Sequence, residues 1–298
     1  MIDEITVISY IEQTANASPE FIAPVSGGAT NVIKCKARIS GQSFMAKICP
    51  GNPRRELWYA ELAKHADTRM ANPKMHKLFP DGNLCLLSPW IDGENLEKCL
   101  PSATKEQIGR YAVQAADILL QLHKTPVDYP AFGGNLANHL KSICAKVEEY
   151  GLTFPGKDAA CQFLLHAADT HSADRICFVH KDIRPENFVV QNEKLYLIDF
   201  DNGSLGEREA DFPYLTTMVR PDHHVWAKHL IEYYISEAGN TDFWENNLLY
   251  STLQVADYAI WKWETKKRQV AIQAENLLNQ YDGFTKRIPK WWSEEEGI

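Results

Sequence analysis

The sequence has no basic stretch at its start, no apolar run long enough to span a bilayer, no internal repeat and no low-complexity segment. The opening MIDEITVISYIEQ carries two early acids and lacks the positive n-region of a secretory signal. Without an apolar stretch of about 20 residues, no transmembrane helix is expected. The cysteines (Cys35, Cys49, Cys85, Cys99, Cys144, Cys161 and Cys177) are odd in number, irregularly spaced and contain no C-x-x-C. That pattern predicts reduced thiols and a cytoplasmic location rather than a disulfide framework. Asn202-Gly203-Ser204 is therefore not read as a glycosylation acceptor. Positive charge is in deficit: Lys+Arg 31 against Asp+Glu 39 gives a net charge of −8. Such a chain is a poor partner for nucleic acid or an anionic membrane, and neither is expected. A cationic small substrate suits it better, although acidity is also ordinary in a soluble protein.

What is present is globular. The 298 residues are 45% hydrophobic and 23% charged, enough for two lobes rather than one small core. The first ninety residues are rich in strand signals. One runs over 31–39, with Val32, Cys35, Ala37 and Ile39 alternating. A second runs over 43–48, joined to the first by Ser40-Gly41-Gln42. A helix is expected over 54–66 and a buried strand over 83–88, stopped by Pro89. After Gly93 the pattern turns helical. The clearest helix, 104–124, places Ile108, Tyr111, Ala112, Ala115, Ile118, Leu119 and Leu122 on one face. Helices over 135–150 and 155–171 follow, then strands at 176–179, 188–190 and 195–198, then helices from about 223 to 281.

The chemistry concentrates in FVHKDIRPENFVVQNEKLYLIDFDNGSLGEREAD, residues 178–211. Asp182 is followed five residues later by Asn187 and seventeen residues later by Asp199, with strand-like segments between them. A phosphotransferase needs one carboxylate on the acceptor hydroxyl, and an amide with a second carboxylate on Mg²⁺, which prefers hard oxygen ligands. Upstream, Ser26-Gly27-Gly28-Ala29-Thr30-Asn31 precedes a strand, where glycines let backbone approach phosphate oxygens. Lys47 sits in a strand from which it reaches phosphates, and Glu56, in the next helix, is expected to pair with it. Each feature alone is weak. The ordered set of loop, lysine, helical glutamate, H-x-D-x4-N and I-D-F is specific.

This set resembles the kinase-like phosphotransferases of the aminoglycoside phosphotransferase and choline kinase group, from about Phe21 to Asp211 and more loosely beyond. The resemblance implies an α+β, protein-kinase-like two-lobe fold. It divides the chain into a small strand-rich nucleotide-binding lobe (1–88), a hinge (89–93) and a larger, mainly helical catalytic and substrate-binding lobe (94–298). It implies that Asp182 is the catalytic base, that Asn187 and Asp199 are the Mg²⁺ ligands, and that Lys47 is the phosphate lysine with Glu56 as its partner. Gly27, Gly28, Asn31, Pro89 and Ile91 complete the ATP site. Trp90-Ile91-Asp92-Gly93-Glu94 resembles the hinge, and Leu119–His123 (LLQLH) the end of a helix of the group. Pro89 lacks an N–H but keeps its carbonyl for the adenine amine. Ile91 offers the N–H for the ring nitrogen, and Trp90 points away.

A protein kinase shares H-x-D-x4-N. Here, however, Phe200-Asp201 replaces Phe-Gly, no Ala-Pro-Glu follows, and 135 residues separate Lys47 from Asp182. Pro185-Glu186-Asn187 and Asp201 are more similar to choline-kinase-like members, and Asp211-Phe212-Pro213 to aminoglycoside enzymes. Lys181 stands where the group often has glycine. The expected function is an ATP- and Mg²⁺-dependent kinase of a small hydroxylated cation such as choline or ethanolamine, monomeric or homodimeric. An aminoglycoside phosphotransferase and a catalytically inactive kinase-like binding protein are the alternatives. Asp201, Tyr258 and Trp261 are substrate-binding candidates, the aromatics through cation–π contacts, though core packing is the commoner role of such rings. His180 is expected to brace backbone rather than move protons. Asp211 is expected to hold the loop after the metal site. His223, His224 and His229 suggest a solvated helix start rather than a metal site.

Overall fold

Asp3 starts the first helix: its carboxylate accepts the Thr6 N–H at 2.8 Å, and Val7, Tyr10 and Ile11 then fall on one buried face. This helix, α1 (Glu4–Ala15), is absent from the sequence expectation, which gave the first ninety residues one helix only. The computed structural model describes residues 3–25, 32–64, 67–124, 136–172, 176–239, 242–265 and 271–294. After α1 come β1 (Pro19–Pro24), β2 (Ile33–Ile39), β3 (Gln42–Pro50), α2 (Pro53–Ala63), β4 (Met75–Leu78), β5 (Asn83–Pro89) and β6 (Glu94–Asn95). The middle of the chain forms α3 (Leu96–Cys99), α4 (Lys105–Lys124), α5 (Leu136–Glu149), α6 (Lys157–Thr170), β7 (Cys177–Val179), β8 (Phe188–Gln191), β9 (Lys194–Leu197) and β10 (Ser204–Gly206). The remainder is α7 (His224–Ala238), α8 (Phe243–Glu264), α9 (Ala271–Gln280) and α10 (Lys290–Glu294). Among the described residues no helix is long and apolar enough to cross a membrane.

The chain forms two compact units. The first is 1–96 with 186–201; the second is 97–185 with 202–298. In the first, an antiparallel sheet has the order β1-β2-β3-β5-β4. The β2–β3 hairpin turns on Ser40 and Gly41, both at positive φ, as a two-residue turn matched to strand twist requires. Its alternating residues Cys35, Ala37, Ile39, Phe44, Ala46 and Ile48 pack with Val7, Tyr10 and Ile11 of α1, so α1 covers the sheet face that would otherwise be wet. Asn52 caps α2 by accepting the Arg55 N–H at 2.9 Å, and Pro53 opens it. The β8–β9 hairpin turns on Asn192 and Glu193 at positive φ and pairs with β6.

In the second unit Thr104 and Gln107 form a reciprocal cap for α4: each side chain accepts the other's backbone N–H. The face expected from periodicity is buried from Tyr111 to Leu122, and α4 lies along α7. Leu140, Ile143, Cys144 and Val147 of α5 meet Leu164 of α6 and Leu249, Leu253 and Ala256 of α8 in one core, which also takes in Cys177 and Val179 of β7. That core anchors the strand that leads into His180-Lys181-Asp182.

Candidate functional site

In the second unit, β7 ends at Val179, His180 is completely buried, and Lys181 adopts φ 63°, the left-handed region unfavourable to any side chain. Buried Asp211 holds this turn by accepting the Lys181 backbone N–H through Oδ1. Its other oxygen, Oδ2, lies 2.8 Å from His123 Nε2, and His123 Nδ1 lies 2.6 Å from the Tyr234 hydroxyl. Burial pushes the Tyr234 hydroxyl far up, so it stays protonated. Asp211 thus braces the loop before Asp182, not the loop after the metal site as expected. Sequence reading also missed His123 and Tyr234 as its supports. The one signal was the histidine ending LLQLH.

Asp182 follows at the loop tip, half-buried, with Arg184 Nε 3.2 Å from its Oδ1. The Arg184 guanidinium in turn sits 6.0 Å from the centre of the Tyr214 ring. Tyr214 opens a π-helical turn, 214–218, whose Thr216 carbonyl accepts the Trp291 indole N–H at 3.0 Å. His223 is buried and His224 stacks on Trp291, which corrects the expectation of a solvated helix start; only His229 is exposed there.

In the first unit the β8–β9 ladder sets Asn187 across from Ile198, whose N–H donates to the Asn187 carbonyl at 2.9 Å. Asp199 follows at φ 66°, so the chain swings its carboxylate aside into a cluster with two lysines. Lys47 Nζ lies 2.6 Å from Asp199 Oδ1 and 2.9 Å from Asp201 Oδ1. Lys34, directly opposite Lys47 in the β2–β3 register, lies 3.9 Å from Asp199 Oδ2. Burial pushes the Asp199 carboxyl up, but Lys47, its hydrogen bond and Lys34 outweigh that and hold it at about 2. Burial likewise works against the Lys47 charge, and Asp201 with Asp199 outweighs it, raising the ammonium above its ordinary value. An ionised carboxylate and the amide of buried Asn187 are hard oxygen donors, a set that fits Mg²⁺.

One expectation is corrected here. Glu56 does not pair with Lys47. Its Oε1 accepts the Leu78 N–H at 2.9 Å, because the α2 register turns it toward β4, and Lys47 is held by Asp199 and Asp201 instead. Asp201 is engaged by Lys47 through Oδ1.

At the end of β5 the Trp90 N–H donates to the Ser43 carbonyl at 3.0 Å. In an antiparallel ladder this makes Phe44 and Pro89 a non-hydrogen-bonded pair. The Pro89 carbonyl therefore faces away from β3. Trp90 is pinned by Lys36 over its ring at 4.4 Å and by its indole N–H on Asp92 at 2.8 Å. Gly93 packs backbone to backbone on β8: a Cβ there would run into the Val190 carbonyl oxygen and lie 2.7 Å from Val189 Cγ1. Gly27, Gly28 and Asn31 lie outside the described residues. Tyr258 and Trp261 stack on each other on α8, Trp261 being 43% exposed, and the cation above both rings is the chain's own Lys262.

A family model described as the phosphotransferase enzyme family matches residues 22–245, more than half of the chain. No curated protein matches the sequence. Among solved structures, the gentamicin complex of APH(2")-IIa is similar at TM-score 0.64 and 18% identity, over 95% of this chain and 99% of that one. Spectinomycin phosphotransferase APH(9)-Ia with ADP and spectinomycin is similar at TM-score 0.60 and 18% identity, over 100% and 95%. The GDP complex of an aminoglycoside 2'-phosphotransferase-IIIa mutant is similar at TM-score 0.65 and 15% identity, over 96% and 100%. At these identities the likeness establishes a shared fold, the mixed α+β architecture expected from the sequence.

Proposed function

This chain belongs to the phosphotransferase enzyme family, and on that premise we propose that it transfers the terminal phosphoryl group of ATP to a hydroxyl of a small, amine-bearing cation. One observation carries the nucleotide half of this reading. The strand lysine and the I-D-F aspartate, 152 positions apart, meet as an ion pair. A cation for the phosphates and an anionic oxygen for a metal thus share one cluster. Lys47 offsets charge on the phosphate oxygens, and Pro89 and Ile91 offer an acceptor and a donor to the adenine edge. Asn187 and Asp199 would hold Mg²⁺, which when bound supplies further positive charge to the phosphates. Asp182 orients the acceptor hydroxyl and takes its proton as the oxygen bonds to the γ-phosphorus and the bond to the ADP oxygen breaks. The opposing reading, a catalytically inactive binding protein, would be expected to lack one of these groups.

The net charge of −8 favours a cationic acceptor by raising its local concentration. Choline or ethanolamine is one form of it. An aminoglycoside has equal support, because relatives of the same fold are described with gentamicin and spectinomycin and because Lys262 occupies the Tyr258–Trp261 faces that an ammonium group would need. The test is an ATP-consumption screen over choline, ethanolamine, thiamine, neutral sugars and aminoglycosides, with mass spectrometry of the product. A phosphorylated amine-bearing alcohol with KM rising with ionic strength is the expected result. A neutral sugar as best acceptor, with a salt-insensitive KM, overturns the charge reading. Nucleotide binding without turnover of any acceptor favours the inactive module.

A further inference from the structure

Lys47 is buried, so its ammonium has little water to rely on and needs a carboxylate. The glutamate expected to supply it, Glu56, is spent on the Leu78 N–H. Two carboxylates replace it. Asp199 and Asp201 flank Phe200, which is buried, and the φ of 66° at Asp199 bends the chain so that both point at one nitrogen. The two are not equivalent. Asp199 is the carboxylate assigned above to the metal, and Lys34 also offsets its charge. Asp201 has Lys47 as its salt-bridge partner.

We propose that Asp201 is a positioning residue that tethers the phosphate lysine Lys47, taking the part that Glu56 does not play. The proposal rests on the reading of Lys47 as the nucleotide lysine. With Asp199 holding a metal, Asp201 would keep Lys47 ordered and aimed at the phosphates. The acid at this position, where Phe-Gly would end the motif in a protein kinase, is thereby given a physical purpose. Asp201 acts through Lys47.

Calorimetric titration of ADP into wild type, Asp201→Asn, Lys47→Met and the double variant, each with Mg²⁺ and again in EDTA, tests this. The tether predicts that Asp201→Asn weakens ADP about tenfold with Mg²⁺, when Asp199 would be drawn to the metal, and less in EDTA, where Asp199 still pairs with Lys47. It also predicts no further effect of Asp201→Asn once Lys47 is Met, and an acceptor KM unchanged within twofold. A loss in the Mg²⁺ arm that persists in the Lys47→Met background would make Asp201 a metal ligand. Loss that adds fully to Lys47→Met, or that appears in the acceptor KM alone, also overturns the tether. If Asp201→Asn unfolds, adding Lys47→Met must raise the melting temperature again, since the buried ammonium that lost one of its two carboxylates is then gone. A double variant no more stable than Asp201→Asn defeats the proposal without any nucleotide present. Wild type that bound no ADP would instead remove the nucleotide reading of Lys47, while the melting-temperature pair still decides the tether.

Discussion

Asp211 accepts the backbone N–H of Lys181, the residue just before Asp182, and so clamps a turn that a side chain disfavours. The φ of 63° at Lys181 costs about 1 kcal/mol that glycine would not incur. Lys181→Gly should therefore hold or raise the denaturant midpoint and keep kcat within a few-fold. Lys181→Val, β-branched at positive φ, should cost about 1–3 kcal/mol. A glycine variant less stable than the valine variant would mean that the loop does not adopt this turn.

Asp182 sits at the tip of that clamped turn with Arg184 Nε 3.2 Å from its Oδ1. Asp182→Asn keeps the shape and removes the proton acceptor. Turnover should fall by about 10²–10⁴, with ADP affinity unchanged in calorimetry, because a general base acts only as the reaction proceeds. Near-normal turnover in the purified variant would take Asp182 out of the mechanism.

The order of Asp182, Asn187 and Asp199 could be read from the sequence because it is local: a short strand, a turn and a hairpin carry all three within 178–199. The α4 face was readable for the same reason, through its helical period. What could not be read is long-range. His123 reaches Asp211 across 88 positions, and Lys47 reaches Asp201 across 154, and no spacing rule encodes either. Glu56 shows the opposite failure. Its type and helical setting matched the resemblance, yet the register of α2 against β4 gave its carboxylate to a backbone amide. The helix α1 was legible in principle, from the Asp3 cap and the 7-10-11 spacing, but the strand signals around it dominated the reading.

Asp199 carries the anionic oxygen of the proposed metal pair, held ionised at about 2 because Lys47 and Lys34 outweigh its burial. Asp199→Ala should shift the Mg²⁺ activation curve to higher concentration by at least about tenfold, since Asn187 alone is a neutral ligand. Unchanged Mg²⁺ dependence, measured at saturating nucleotide, would assign the metal to other residues.

Gly93 fixes the segment after β5 onto β8 by backbone contact. A methyl group there meets a carbonyl oxygen and a valine methyl rather than the far end of a flexible chain, so neither neighbour yields easily. Gly93→Ala should cost about 1–3 kcal/mol in chemical denaturation. An alanine variant as stable as wild type would show that β6 does not approach β8 this closely.

Glu56 supplies the sharpest contrast between resemblance and geometry. If it held the phosphate lysine, Glu56→Gln would weaken nucleotide binding strongly, because a buried ammonium would lose its counter-charge. Here Lys47 already has two carboxylates, and Glu56 serves the Leu78 N–H. The glutamine carbonyl can accept that same N–H, so the bond weakens but survives. Glu56→Gln should therefore leave ADP affinity within about threefold and lower stability by about 1 kcal/mol. Glu56→Ala should keep ADP affinity as well while costing about 1–3 kcal/mol, since the half-buried amide is then unpaired. Calorimetry and denaturant melts on the two variants separate the cases. A tenfold or greater loss of ADP affinity in Glu56→Gln, with unchanged stability, would return Glu56 to the lysine.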